Sequence, residues 1–245
     1  MRLSIVIPCY NEAANIPELH RRLSEVAAQI ADDVEFVFVN DGSRDATLDR
    51  LRELAQRDPR VRALSLSRNF GHQAALTAGI DHAAGDAVIV MDADLQHPPE
   101  LIHDFLEKWR EGYDLVYAYR EGVKPRWGYR FINAVMEVQV PAESADFRLM
   151  DRKVVDAFRN MPERARFIRG MISWLGFRQI GIGYRQPERF AGERAYTVRQ
   201  TIRMALNAIL AFSVIPLRFA SVLGLVTLAA GVLYAVYILY AKLRG

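Results

Sequence analysis

The sequence predicts an α/β fold: a mostly parallel sheet with helices on both faces, followed by a helix that crosses a membrane. Three observations carry this. From residue 3 to residue 119, short apolar runs rich in β-branched residues alternate with amphipathic stretches, the pattern of a parallel sheet covered on both sides. Acids fall at the ends of those runs: Glu12 after the first, Asp41 after the second, Asp92 and Asp94 after the fourth. In an open parallel sheet such ends face one crevice, where ligands bind. Finally, residues 219–241 contain no charged side chain.

Taken in order, residues 3–7 (L-S-I-V-I) are the first strand, which Pro8 is expected to stop. Asn15 with Glu18 three residues on reads as a capping box opening a helix that runs to Gln29. Residues 34–40 are the second strand, and 46–57 a helix with Leu48, Leu51, Leu54 and Ala55 on one face. A third strand at 61–66 and a helix at 72–84 follow. Residues 87–91 (A-V-I-V-M) are the central strand, 99–111 a helix closed by Gly112, and 114–119 the fifth strand.

Composition excludes several classes. The chain has 245 residues, enough for one ordinary domain and something more. Its 32 Lys and Arg against 29 acids leave a net charge of +3. That is too weak, without a basic run interleaved with aromatics, to point to nucleic acid. Cys9 is the single cysteine, which rules out an intrachain disulfide and a zinc-thiolate cluster. Met1-Arg2 leads straight into a strand, so no cleaved signal peptide is expected. His72, His97 and His103 share no metal-ligand spacing and read as surface or packing residues.

Residues 219–241 would span roughly 35 Å as a helix, enough for a ~30 Å hydrocarbon core with some tilt. Tyr234, Tyr237 and Tyr240 gather towards one end, as an interfacial belt would. Residues 197–212, and a shorter stretch at 165–174, read as amphipathic helices at the membrane interface. Arginines at 178, 185, 189, 194, 199, 203 and 218 crowd the approach to the span. They place the preceding domain on the cytoplasmic face. The organisation expected is therefore a catalytic domain at 1–163, an interface segment with a short strand region at 164–213, and a transmembrane helix at 214–242.

The stretch at 85–100, G-D-A-V-I-V-M-D-A-D-L-Q-H-P-P-E, is where chemistry is expected. Asp92 and Asp94 close a buried strand two residues apart. Hard oxygen ligands at that spacing suit Mg²⁺ or Mn²⁺, which take one or two carboxylates plus substrate phosphates. Read alone, such a pair more often merely ends a strand and caps a turn. Four carboxylates in one cleft repel one another unless a cation or donors from a ligand share it; a nucleoside diphosphate with a divalent ion supplies both. No G-x-G-x-x-G follows the first strand and no G-x-x-x-x-G-K-[ST] occurs, which weakens dinucleotide and P-loop readings.

Four segments in order carry a resemblance: S-I-V-I-P-C-Y-N-E-A-A-N-I, V-N-D-G-S-R-D-A-T, S-R-N-F-G-H-Q-A-A-L-T-A-G-I-D and V-I-V-M-D-A-D-L-Q-H-P-P-E. With A-D-F-R-L-M-D-R at 145–152, they resemble the inverting family 2 glycosyltransferases of the Rossmann-like GT-A fold. The likeness is narrower still to the polyisoprenyl-phosphate glycosyltransferases, relatives of dolichol-phosphate mannose synthase and of bacterial undecaprenyl-phosphate glucosyltransferases. It covers residues 3–241, and is specific for the family but not for the sugar.

What the resemblance implies is a membrane enzyme, in a bacterial inner membrane, moving a hexose from UDP- or GDP-sugar to a polyprenyl phosphate with Mg²⁺ or Mn²⁺. Pro8, Tyr10, Glu12 and Asp41 match residues that hold the nucleoside, Asp41 accepting from a base N–H and Glu12 from ribose hydroxyls. Asp92 and Ala93 match positions against the sugar nucleotide, and Asp94 and Gln96 the metal ligands of D-x-D-x-Q. Arg120 matches an arginine that meets phosphate, as a fork able to grip an anionic acceptor, with Arg126 and Arg130 beside it in sequence. Asp146 belongs to the D-F-R segment and orients the reacting groups. Arg189 and Arg194 match the donor-binding R-x-x-G-x-[ST]-K-Y, but Ala195 stands where the family has lysine, and Arg194 one position earlier is not equivalent. Alone, Pro8 and Tyr10 read as turn residues, Arg120 as a solvated strand-end charge, and Gln96 as a partner for the turn's backbone. Bacterial relatives usually carry two membrane helices; this sequence shows one. Q-x-x-R-W, typical of synthases acting on hydroxyls, is absent. A hydroxyl acceptor and a catalytically silent membrane scaffold stay open as alternatives, as does homo-oligomerisation.

Overall fold

The computed structural model describes residues 1–30, 33–122, 144–163, 166–187 and 215–244. Among these residues, seven strands form one sheet in the order β3-β2-β1-β4-β6-β5-β7. They are β1 (Arg2–Cys9), β2 (Asp33–Asn40), β3 (Val61–Ser65), β4 (Ala87–Val90), β5 (Leu115–Arg120), β6 (Ser144–Asp151) and β7 (Gln179–Tyr184). Only β6 runs against the rest, paired antiparallel with both β4 and β5. The mostly parallel sheet expected from the alternating runs is therefore present.

Helices cover both faces. On one side α1 (Ile16–Gln29), α2 (Thr47–Arg57) and α4 (Ile102–Arg110) pack over Ile5, Ile7, Phe36, Phe38, Ile89, Phe147 and Leu149. On the other, α3 (His72–His82), α5 (Arg152–Arg159) and α6 (Ile168–Trp174) cover Val6, Val37, Val39, Val88, Val90 and Met150. The period-2 alternation of side chains along each strand produces this split. Gly79 lets α3 lie close to the sheet: a Cβ there would overlap the Val6 side chain.

Pro8 does not stop β1. The strand continues to Cys9, paired with Asn40 on β2. The Val6 carbonyl accepts from Met91 N–H, so alternate residues of β1 turn towards β4. Pro8 faces that side too, but the ladder with β4 ends at Val6–Val90, so its missing N–H costs no bond. The capping box at Asn15 is also absent. Asn15 sits in the helical region with no side-chain cap, and its amide instead donates to the Glu12 carboxylate.

Two further differences concern the segment after residue 163. Residues 165–174 are expected at the membrane interface, yet Ile168, Met171 and Ile172 of α6 are buried in the core. Their apolar face is spent on packing. β7 then pairs in parallel with β5 from Leu115–Gln179 to Arg120–Tyr184, so the sheet extends beyond the expected end of the catalytic domain. The stretch at 197–212 lies outside the described residues.

The last element, α7 (Ile215–Arg244), has 30 residues. Within it, Ala220–Arg244 is mostly apolar, and none of it is buried against the rest of the chain. It is long and apolar enough to cross a membrane.

Candidate active site

The sheet's register brings the predicted acids to one edge. β4 ends at Val90, which pairs with Val6 on one side and Arg148 on the other. Met91 to Asp94 therefore run out past the ladder, at the carboxyl ends of the parallel strands. Because β6 is antiparallel, Asp146, two residues before Arg148, arrives at the same edge. Arg120 ends β5 beside it.

The turn after β4 is tight. The Asp94 carboxylate accepts from the Gln96 amide at 3.1 Å. Between them Leu95 has φ 62, a left-handed conformation that costs a side-chain-bearing residue about 1–2 kcal/mol. Burial of the Leu95 side chain in the core offsets that cost. Among the described residues no group of three or more His, Cys, Asp and Glu is placed to hold a metal by itself. One buried carboxylate followed by a carboxamide two residues on suits an ion of the Mg²⁺ or Mn²⁺ kind, which fills its shell with substrate phosphates and water.

Asp92 is held from two sides. His72 Nε2 lies 2.8 Å from its Oδ1, and the Asp92 amide donates to His97 Nδ1 at 3.0 Å. Burial would raise the Asp92 carboxyl, but the neighbouring imidazoles of His97 and His72 outweigh it and hold the pKa at about 2. His97 is buried, stacked on Phe147 at 5.2 Å and edge-on to Tyr184. Burial lowers its pKa, and its Nδ1 accepts the Asp92 amide.

Asp146 is buried and takes two bonds from Arg169, Nε–Oδ1 at 2.6 Å and Nη2–Oδ2 at 2.9 Å. Arg148 Nη2 stands 3.4 Å from the same Oδ1. Burial pushes the Asp146 carboxyl up, and Arg169, His72 and Arg148 together drive it well below the ordinary carboxylate range. Burial lowers Arg148 itself to about 10. Arg120 lies beside the Tyr184 phenol, close enough to oppose the rise that burial causes there. Its Nε is buried without a hydrogen-bond partner among the described residues.

The remaining predicted positions form the neighbouring wall. Pro8 is buried in β1 and Tyr10 is exposed beyond it. Glu12 is half-buried at the entry to α1, with its amide bonded to Thr47 Oγ1 at 2.9 Å. Ala93 is buried. Asp41 accepts, through its two oxygens, the amides of Phe70 at 2.8 Å and Gly71 at 2.9 Å. It holds the 66–71 loop against the end of β2, with the remaining lone pairs left for a ligand. Arg126, Arg130, Arg189 and Arg194 lie outside the described residues.

Sequence reasoning missed His72, Arg148, Arg169 and Tyr184. His72 was legible as part of S-R-N-F-G-H, and Arg148 as the alternate residue to Asp146 on one strand face. Arg169 was hidden in a segment read as membrane-facing, and nothing local marks Tyr184.

A GT-A fold with an acidic crevice at its strand ends is the class that this sheet defines. A model of the glycosyl transferase family 2 matches residues 4–161, and the chain belongs to that family. It is 44% identical to an uncharacterized glycosyltransferase, YkcC, of Bacillus subtilis (strain 168), over 99% of this chain and 78% of that protein. It is 39% identical to the bactoprenol glucosyl transferase of Shigella phage SfV, over 98% of this chain and 81% of that one. Among solved structures, the mannosyltransferase PcManGT from Pyrobaculum calidifontis, in complex with GDP-Man and Mn²⁺, shares the fold. Its TM-score is 0.56 at 21% identity, over 77% of this chain and 58% of that longer one. Mannosyl-3-phosphoglycerate synthase from Rubrobacter xylanophilus matches at TM-score 0.61 and 16% identity, over 86% of this chain and 72% of that one.

Proposed function

We propose that this glycosyltransferase moves a hexose, glucose first among the candidates, from a nucleotide sugar to a polyprenyl phosphate with inversion at the anomeric carbon. The observation that carries this reading is the 39% identity, over nearly the whole chain, to a bactoprenol glucosyl transferase. A membrane-length helix following the catalytic fold supports a lipid acceptor. Tyr10, Glu12 and the loop held by Asp41 form the wall assigned to the nucleoside. Asp92 and Ala93 are assigned to the sugar end, and Asp94 with Gln96 to a divalent ion. Manganese accompanies the donor in the related GDP-mannose complex, which supports that assignment.

An acceptor phosphate oxygen attacks the anomeric carbon from the face opposite the diphosphate. The new C–O bond forms as the bond to the diphosphate oxygen breaks, and the nucleoside diphosphate departs with the electron pair. The attacking group is already anionic near neutral pH, so the protein has no proton to remove. Its tasks are alignment and charge stabilisation. Arg120, a planar fork at the edge of the crevice, is suited to hold the acceptor phosphate. Asp94 and Gln96 would hold a divalent ion, which when bound would neutralise charge on the leaving group. The run of arginines before residue 219 in the sequence supports a cytoplasmic catalytic domain by the positive-inside tendency.

The test is transfer from a panel of UDP- and GDP-hexoses to undecaprenyl phosphate, with and without Mg²⁺ or Mn²⁺. Lipid-linked hexose of opposite anomeric configuration to the donor is expected. Sugar appearing only on hydroxyl acceptors, or no transfer from any donor, rejects the reading.

A further inference from the structure

We propose that His72 is a positioning residue of the transfer reaction, its imidazole spanning Asp92 and Asp146 and fixing the Asp92 carboxylate for the sugar end of the donor. The inference rests on the functional reading above and adds a residue to it.

The geometry is a closed circuit. His72 stands at the first turn of α3, with Nε2 at 2.8 Å from Asp92 Oδ1 and Nδ1 at 3.9 Å from Asp146 Oδ2. Asp146 is in turn clamped by Arg169 from the start of α6. Gln73, the next residue of α3, accepts the Ile168 amide with its Oε1 at 3.0 Å. That amide opens α6 and lacks a partner within its own helix. One turn of α3 thus meets the D-x-D turn on one side and α6 on the other. Gln73 Nε2 also lies 3.5 Å from His72 Nδ1, at the limit of a hydrogen bond.

Two carboxylates pushed to one sheet edge repel unless a donor lies between them. His72 is that donor. Burial lowers its pKa and Arg169 lowers it further, but Asp92 and Asp146 prevail and raise it to about 9. At neutral pH the ring is therefore cationic, bonded to Asp92 through Nε2 and drawn to Asp146 by charge across 3.9 Å. A glutamine at 72 keeps one donor and loses the bridge. The histidine therefore acts through Asp92, leaving donor contacts to that carboxylate.

The experiment is a double-mutant cycle on the full-length chain in detergent or vesicles, using H72Q, D92N and the pair. Transfer from the best UDP- or GDP-hexose to undecaprenyl phosphate is the main readout, and release of hexose to water the second. H72Q is expected to lower kcat by about 10- to 100-fold, the ordinary scale for a group that supports orientation, with KM for the donor moved less than about five-fold. Combined with D92N it should add little, because both act on one carboxylate. The thermal midpoint should stay within a few degrees. Wild-type kcat in H72Q, or full multiplication of the two effects, overturns the role of His72 while leaving the transferase reading intact. If the wild-type chain performs neither transfer nor donor hydrolysis, the functional reading fails first and this inference falls with it.

Discussion

Arg169 holds Asp146 in a two-bond fork, Nε–Oδ1 at 2.6 Å and Nη2–Oδ2 at 2.9 Å, and so ties a helix of the far sheet face to the catalytic edge. Arg169→Lys keeps the charge and loses the fork. It should lower transfer by about ten-fold or more with a smaller change in donor affinity, read from kcat and KM together. Arg169→Ala should also unfold more easily. Losing one partner of a buried pair costs about 3–5 kcal/mol, and the partial exposure of Arg169 and the remaining Arg148 reduce that figure here.

Asp94→Asn tests the divalent ion. Removing one principal charge stabiliser costs turnover about 10²–10³-fold, while the fold should hold, since the variant leaves one acid fewer at a crowded edge. The measurement is transfer rate against Mg²⁺ and Mn²⁺ concentration, with the thermal midpoint as control. A wild-type rate without added metal refutes the assignment.

Gly42→Ala tests the nucleoside wall. Gly42 has φ 62, and a Cβ there would collide with the Arg68 and Asn69 backbone. The 66–71 loop, pinned to Asp41 through Phe70 and Gly71, must then move. Donor affinity should fall at least ten-fold by calorimetric titration of UDP- and GDP-hexoses, with a loss of stability alongside. Unchanged affinity would separate this loop from the donor.

Glu35 offers a pH test away from the site. Its carboxylate is buried and accepts from Ser4 Oγ, the Ala84 amide, Arg2 and Arg62. Burial raises its pKa, but those donors outweigh burial and lower it overall. A depressed folded value means its contribution is present above the ordinary carboxylate pKa of about 4.3. It is lost as pH falls through the folded value. Glu35→Gln should be less stable at pH 7, and the gap should narrow as unfolding is followed down to pH 3. A constant gap would remove Glu35 from the acid limb.

Ending the chain before Ile215 keeps the whole described sheet and every described site residue. The shortened protein should bind donor with metal normally and transfer to short, water-soluble prenyl phosphates. It should lose most transfer to long-chain lipid phosphate in vesicles, because α7 no longer holds the crevice at the depth of the phosphate. Full activity on the embedded acceptor would make α7 an anchor without catalytic consequence.

The strands β1 to β5, the acids at their ends and the membrane-length helix were legible in the sequence, because each rests on local patterning. A β-branched run ending in Asp92-Ala93-Asp94 carries its own signal, and so do the uncharged residues from 219 to 241. What tertiary structure decided depends on residues far apart in the chain. β6 lies between β4 and β5 and runs backwards, which no periodicity announces, and that reversal delivers Asp146 to the edge where Asp92 stands. The apolar face of α6 looks the same in sequence whether it meets lipid or Val154 and Met150; only packing against them chose the core. His72 was unremarkable as a residue, and became chemically distinct when the fold set it between two carboxylates contributed by different strands.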